Sequence, residues 1–526
     1  MERRVPQPGP PPAAAPPRVP ETPAAPAETA GTPEFVLLGV VVRGSSVFDA
    51  ASLIDVYESM LARRVGPREL DAIGAEIVER YRRAGFAFVT AYAPPQRGDG
   101  GIAVIQVVEG HVERVDIDDG GNGAEAAALA RAMSAALLAE RPTRLATLER
   151  SLLLIGDLPG VELGRPRLRP IDLAAGSYAL VLPLRVRRLE AAMALDNRGS
   201  RDYGPLQLWT SGQANAIDGT AAWAAQGGIF TAPASPREIL YGQAALMRSL
   251  GTDGLQLRAQ ASGSRNVAGG ALADVDARTE SARLTVNLSY PFLRARRLSL
   301  WGAVSADALR IAEDRSHRRF FIDELRVLRA TLSGVHVEAD GASTWFAAQG
   351  SLGLDVAGAS ATGALRSRPS ADARFAKLRV DATRMQPLSG PWSLELRAGG
   401  QLADDAVFSA EEFDLGGARF GRAFEPGALS GDRAIAGGLE LRYADPIRLP
   451  AIEQTELFAF ADGGIAWITA GGTRVRDHLS SAGIGLRARV DTTWRAAVEL
   501  GHPLDSSVRK LREQGPRIYF SVAAEF

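Results

Sequence analysis

Residues Phe413 to Tyr443, FDLGGARFGRAFEPGALSGDRAIAGGLELRY, decide the fold because their two halves obey different rules. In the first half Gly416, Gly417, Gly421 and Gly427, with Pro426, break any helix or strand, yet the segment carries Arg419, Phe420, Arg422 and Phe424. A loop so composed is built to hold a side chain in place. After Gly431-Asp432 the pattern becomes strict alternation. Ile435, Leu439, Leu441 and Tyr443 fall on one face and Ala436, Gly438, Glu440 and Arg442 on the other, which predicts a strand. Further on, Leu457 to Gly464, LFAFADGG, alternates likewise and puts Glu456, Phe458, Phe460 and Asp462 on one face. Asp462 is a candidate partner for a loop arginine.

The spacing GG-x4-RAF-x5-SGD-x7-EL resembles the sixth extracellular loop of the two-partner secretion transporters, haemolysin secretion/activation type, within the wider superfamily of POTRA-plus-barrel outer-membrane proteins. In that family the loop carries an Arg-Gly-Tyr or Arg-Gly-Phe tip, folds back into the barrel, and sets its arginine against the aspartate of a Phe-x-Asp-x-Gly wall motif. The resemblance implies a latch of Arg422 and Asp462, with Phe424 and Phe460 as apolar contacts around the pair and Gly464 closing the wall motif. Gly416, Gly417, Gly431 and Asp432 fill the loop motif, and Ala423 stands where the family has glycine. Arginine suits the role because its planar fork can grip one carboxylate through two hydrogen bonds and keeps its charge.

The chain has 526 residues and is 46% hydrophobic, enough for two or three domains. No apolar run approaches the roughly 18 residues of a membrane helix, so a membrane-spanning reading requires strands. A formal net charge of −1 argues against a nucleic-acid surface. With no cysteine, disulfides, thiolate metal sites and cysteine nucleophiles are excluded. The histidines, His111, His317, His336, His478 and His502, show no metal spacing, and no Gly-x-Ser-x-Gly elbow, His-Glu-x-x-His or phosphate-cradling loop is present. The expectation is a non-enzyme without metal or cofactor.

Residues 1–33 are Pro/Ala-rich and predict an extended, disordered tail in which proline forbids a pore-plugging helix. Met1 to Pro6 leads into those prolines with no apolar core, so no secretory signal is visible. Residues 34–110 read as a small α+β unit, with a strand over Phe35 to Val42, helices near 51–62 and 67–84, and strands near Phe86–Tyr92 and Ile102–Val108. Ile73, Ile77 and Tyr81 recur at helical spacing. This order resembles a POTRA domain, sharpened by Tyr81-x3-Gly85-Phe86, by Pro95-Gln96 and by Val108-Glu109-Gly110. Residues 111–187 repeat the order and make a second such domain. An exposed strand edge over Phe86 to Tyr92 could accept an extended client segment by strand addition, which makes Phe86, Phe88, Tyr92 and Gln96 the candidate client-binding residues.

From residue 188 the helical period is gone. Ala282, Leu284, Val286, Leu288 and Tyr290 alternate with Ser281, Arg283, Thr285, Asn287 and Ser289, and Ala376, Leu378, Val380 and Ala382 with Lys377, Arg379, Asp381 and Thr383. A soluble sandwich would alternate too. A polar face charged along whole strands, opposite a face free of charge, instead predicts a water-filled lumen against lipid. About 340 residues at roughly 20 per strand and turn give about sixteen antiparallel strands, with the loop near 413–432 between the eleventh and twelfth. The chain ends in RIYFSVAAEF, whose Ile518, Phe520, Val522, Ala524 and Phe526 share one side. This resembles the signal read by the barrel-assembly machinery, carried here by Tyr519, Phe520 and Phe526.

The expectation is therefore a membrane all-β barrel at 188–526, preceded by two POTRA domains, in the outer membrane of a Gram-negative bacterium with the POTRA domains in the periplasm. As the resemblance implies, it translocates one large secreted partner, an adhesin-like or haemolysin-like exoprotein. Its partners would be that client, outer-membrane lipid and, during biogenesis, the assembly machinery, with no nucleic acid. The alternatives are an outer-membrane insertase of the same superfamily and a soluble β-rich binding protein.

Overall fold

The computed structural model describes residues 32–121, 123–360, 365–445, 447, 452–508, 511 and 514–526. The Pro/Ala-rich tail, as far as residue 31, and the question of a plug helix lie outside them. Among the described residues the chain forms two compact units that meet in sequence at Arg187 and Arg188.

In the first unit the helix Pro67–Arg83 lays Leu70, Ile73, Ile77 and Tyr81, all fully buried, across a small sheet. Gly74 lets that helix approach the strand, since a Cβ there would come within 3.0 Å of the Ala91 carbonyl. The sheet orders Gly39–Arg43, Ile102–Glu109 and Val89–Tyr92, the first pair parallel and the second antiparallel. The single strand expected over 35–42 is broken in two. Phe35–Val36 pairs with Arg64–Val65, and the backbone then changes partner, Leu37 N–H donating to the Arg63 carbonyl and Leu38 N–H to that of Gly101. The second half of the unit repeats strand, helices and strands. His111–Asp118 runs parallel to Ser177–Val186, and helices Ala124–Met133, Ala135–Ala139 and Leu145–Gly156 cover the sheet through Ala130, Leu137, Leu148, Leu152 and Ile155.

The second unit is a closed barrel of sixteen strands, each antiparallel to its neighbours. They are β1 (Leu189–Asp196), β2 (Gln207–Asn215), β3 (Trp223–Thr231), β4 (Leu240–Leu250), β5 (Leu255–Val267), β6 (Arg278–Arg294), β7 (Leu298–Arg315) and β8 (Arg318–Val337). The ring continues with β9 (Ser343–Gly353), β10 (Ala376–Pro387), β11 (Trp392–Ala403), β12 (Arg433–Ala444), β13 (Gln454–Ala470), β14 (Thr473–Arg489), β15 (Trp494–Ser506) and β16 (Arg517–Glu525). It closes where Ala192 to Asp196 pair with Glu525 to Ser521. Period-two sequence makes one face of each strand apolar, and Leu284, Ile435, Ile484 and Ile518 stand more than half exposed on the outside, as a lipid-facing wall requires.

The inner face departs from the expected uniform charge. Directly paired residues share a face, so the register carries the inside from Asp196 through Gln207, Trp209, Ser211 and Gln213 to Gln226, then to Gln243 and Gln260. Along the middle of β2 to β5 this face is amide, hydroxyl and small, with Trp209, Phe230 and Tyr241 clustered at one end and Met247 toward the other, and Arg258 is its only charge among the described residues. The dense charge lies on β10 to β15.

Candidate functional site

The segment between β11 and β12 turns into the lumen as a short hairpin, Phe413–Leu415 against Leu429–Gly431. Gly416, Gly417, Gly421 and Gly427 all take left-handed backbone. At Gly416 the need is strict, because a Cβ would run into the Glu425 carbonyl. Ala423, in place of the family glycine, is not left-handed, so its Cβ is no burden.

At the tip Arg422 is 3% exposed. Its Nε donates to Asp462 Oδ2 at 2.9 Å and its Nη1 to Glu440 Oε2 at 2.6 Å, with Glu499 Oε2 at 3.5 Å. The guanidinium lies 3.5 Å from the centre of the Phe460 ring. Asp462 also holds the tip's backbone, Oδ1 accepting from the N–H groups of Gly421 at 3.0 Å and Arg422 at 3.2 Å and from the Ser481 hydroxyl at 2.5 Å. Around the tip Arg198, Arg397, Arg442 and Arg487 interleave with Glu395, Glu440, Glu456 and Glu499, so with Arg422 and Asp462 the two signs are equal in number. A guanidinium so enclosed is held by its carboxylates; removing one partner would strand the other at about 3–5 kcal/mol.

The loop's apolar side packs Phe413, Leu415, Phe420, Phe424 and Leu429 on Ala434, Ala436, Ala466 and Leu479 of the wall. Gly464 makes this possible, since a Cβ there would stand 2.7 Å from Leu415 Cδ2 and 2.8 Å from the Ile435 carbonyl oxygen. Gly431 is similarly confined, 2.8 Å from the Trp467 carbonyl oxygen.

A second set of ion pairs holds the loop's base. Glu411, 1% exposed, accepts from Arg329 Nη2 and Lys377 Nζ, each at 2.6 Å. Arg368 pairs with Asp432 and, at 2.7 Å, with Glu412, while Asp432 accepts from the N–H groups of Val407 at 2.9 Å and Thr469 at 2.7 Å. Thus Asp432 ties both limbs of the loop together. Higher on the loop, Arg419 reaches Asp381 of β10 at 2.8 Å. Glu440, Glu499, Glu411 and Arg368 were not singled out in the sequence. Glu440 alone gave a signal, as a charge on the inner face of the alternating β12.

The other expected site residues are dispersed. Tyr519 points into the lumen with the Arg198 guanidinium 4.4 Å from its ring centre, whereas Phe520 and Phe526 are on the outside. In the N-terminal unit the expected client residues need correction. Phe88 is 1% exposed and packs against Tyr178, Phe86 is buried beside Tyr81, and the strand starts only at Val89. The Gln96 side chain is spent on its own sheet, donating to the Val104 carbonyl at 3.0 Å and accepting from the Val104 N–H at 2.7 Å. Tyr92, half-buried at the end of the outer strand Val89–Tyr92, keeps access to that edge.

Residues 241–488 match the family described as haemolysin secretion/activation protein ShlB/FhaC/HecB, and residues 35–110 match the POTRA domain, ShlB-type. No protein with curated annotation matches the sequence. Among solved structures the fold is similar to CdiB from Escherichia coli, with a TM-score of 0.72 and 20% identity over 96% of this chain and 93% of that one. It is similar to CdiB from Acinetobacter baumannii, with a TM-score of 0.63 and 15% identity over 96% and 94%. BamA from Haemophilus ducreyi, lacking POTRA domains 1–3, follows with a TM-score of 0.53 and 12% identity over 94% and 100%.

Proposed function

Since the chain is a two-partner secretion transporter of the haemolysin secretion/activation family, an outer-membrane pore that carries a partner exoprotein to the cell surface, we propose that Arg422 is its latch. The observation that carries this reading is a guanidinium 3% exposed, held by Asp462, Glu440 and Glu499 inside the lumen. A loop fixed there narrows the pore at rest. A passing client must displace the tip, and with Arg422 away Arg198, Arg397, Arg442 and Arg487 face five carboxylates, an excess of one negative charge that draws the tip back once the client has passed.

Residues 34–110 and 111–187 act as two periplasmic POTRA domains, and residues 188–526 as the barrel. The client's amino-terminal part adds as a strand to the outer edge Val89–Tyr92, where Tyr92 supplies a side-chain contact. The strand ending in Phe520 and Phe526 is the segment presented to the assembly machinery, and its outer face meets outer-membrane lipid.

Single-channel recording in planar bilayers tests the latch. The wild type gives small, flickering currents, and deletion of Gly417 to Ser430 gives large and steady ones. Equal conductance in both would remove the loop from the pore and end this reading.

A further inference from the structure

The inner wall of the barrel has two halves of different chemistry. In a sixteen-stranded ring, strand n stands across from strand n + 8, so β2 to β5 face β10 to β13. The loop is held by Asp381 of β10, Glu440 of β12, Asp462 of β13, Ser481 of β14 and Glu499 of β15. Across the lumen, β2 to β5 present Ser211 and Gln213, Gln226 and Gly228, Gln243 and Ala245, and Gln260, Ser262 and Ser264, with the aromatic residues Trp209, Phe230 and Tyr241 confined to one end of this wall. Their lone charge, Arg258, has its guanidinium on amides, donating to Gln226 at 2.7 Å and Gln260 at 3.0 Å. Gln260 in turn donates to Gln243 at 3.4 Å, and Tyr241 to Gln243 at 3.0 Å.

We propose that this amide-lined wall is the surface along which the extended client slides. Each glutamine, asparagine or serine side chain offers both donors and acceptors, so it can exchange hydrogen bonds with the peptide groups of any sequence. A conducted chain must be bound well enough to enter and weakly enough to leave. Fixed charges would hold oppositely charged segments and repel like ones, and a broad apolar wall would retain hydrophobic segments. Hydrogen bonds that each replace one to water give little net affinity per site. The ligand class is thus an unfolded polypeptide read through its backbone, indifferent to side-chain charge.

This inference rests on the transport reading, and its test separates the two. The channel is opened by deleting Gly417 to Ser430 or, should that variant fail to fold, by Arg422→Ala with Asp462→Asn. Its currents are recorded with two probes of about thirty residues, long enough when extended to cross the barrel: an uncharged Ser/Gly/Asn peptide and the same peptide bearing lysines. Both block with similar dwell times on the native wall. Ser211→Glu with Gln243→Glu, two positions at one level on β2 and β4, lengthens the lysine peptide's dwell by about tenfold and leaves the neutral peptide unchanged. The inference is overturned if the lysine dwell does not respond there but does respond to Ser393→Glu with Met385→Glu on β11 and β10. An open channel that neither peptide blocks overturns the transport reading, and this inference with it.

Discussion

Glu109 gathers the amides of Ser46 at 2.7 Å and Val47 at 3.1 Å, the Ser46 hydroxyl, and the Tyr81 hydroxyl at 2.5 Å on one carboxylate. Burial raises its pKa, but the hydrogen bonds from Ser46, Tyr81 and Val47 outweigh that and hold it below the ordinary carboxylate value. Burial and Glu109 together push the Tyr81 phenol up, so Tyr81 remains a donor. A carboxylate with a depressed folded pKa stabilises the fold fully above its unfolded pKa and ceases to do so as pH falls through the folded one. Hydrogen-exchange protection at Ser46 and Val47, corrected for intrinsic rate, should therefore hold at neutral pH and decline in the acid range below the ordinary carboxylate value. In Glu109→Gln it should be low throughout, and a wild-type-like profile there would refute the linkage. The sequence marked Tyr81 and Glu109 in separate motifs without showing that they meet. Arg422 and Asp462 were legible because each sits in a motif of fixed spacing. Glu440 and Glu499 reach the same guanidinium only through the register of β12 and β15, which no local pattern encodes. Gln96 was misread for the converse reason: its amide serves the backbone of its own sheet.

At the scale of the element, the loop between β11 and β12 is fixed twice, by its tip and by its base. Arg368→Ala would leave Asp432 and Glu412, both buried, without their guanidinium, at about 3–5 kcal/mol. The limbs should loosen although the tip residues are untouched. Trypsin added to the outside of cells should then cut at Arg419 faster than in the wild type, whereas an unchanged rate would mean the base carries no load. Alternation made the barrel strands legible, since a residue's face follows from its parity. It also led to the misreading of charge as uniform, because parity says which face is wet but not whether charges or amides will line it. The split of the strand at Phe35 to Val42 was invisible for a related reason. Its residues are all strand formers, and only the partners at Arg63 and Gly101 divide them.

On the scale of the whole molecule the ring depends on one seam. β1 and β16 share five residue pairs, and beyond them Phe526 exchanges two backbone hydrogen bonds with Ala191, at 2.8 and 3.1 Å, and sets its ring edge-on to Trp494. Deleting Phe526 removes those bonds, together about 2 kcal/mol. Unboiled samples on a denaturing gel should lose the compact, fast-migrating band at a lower temperature than the wild type, and coincident melting would show that the terminal residue adds nothing to closure. The strand count and the identity of the last strand were legible; that these five pairs complete the circle was not, since they join residues more than 320 positions apart. The seam also sets the timetable of the protein's making. Its first half exists long before its second, because β16 is made after the other fifteen strands of the ring. Until then the chain can be at most an open sheet with two bare edges, each able to recruit a stranger's strand. The bare edges are therefore an aggregation hazard that lasts until β16 pairs with β1 and removes them together.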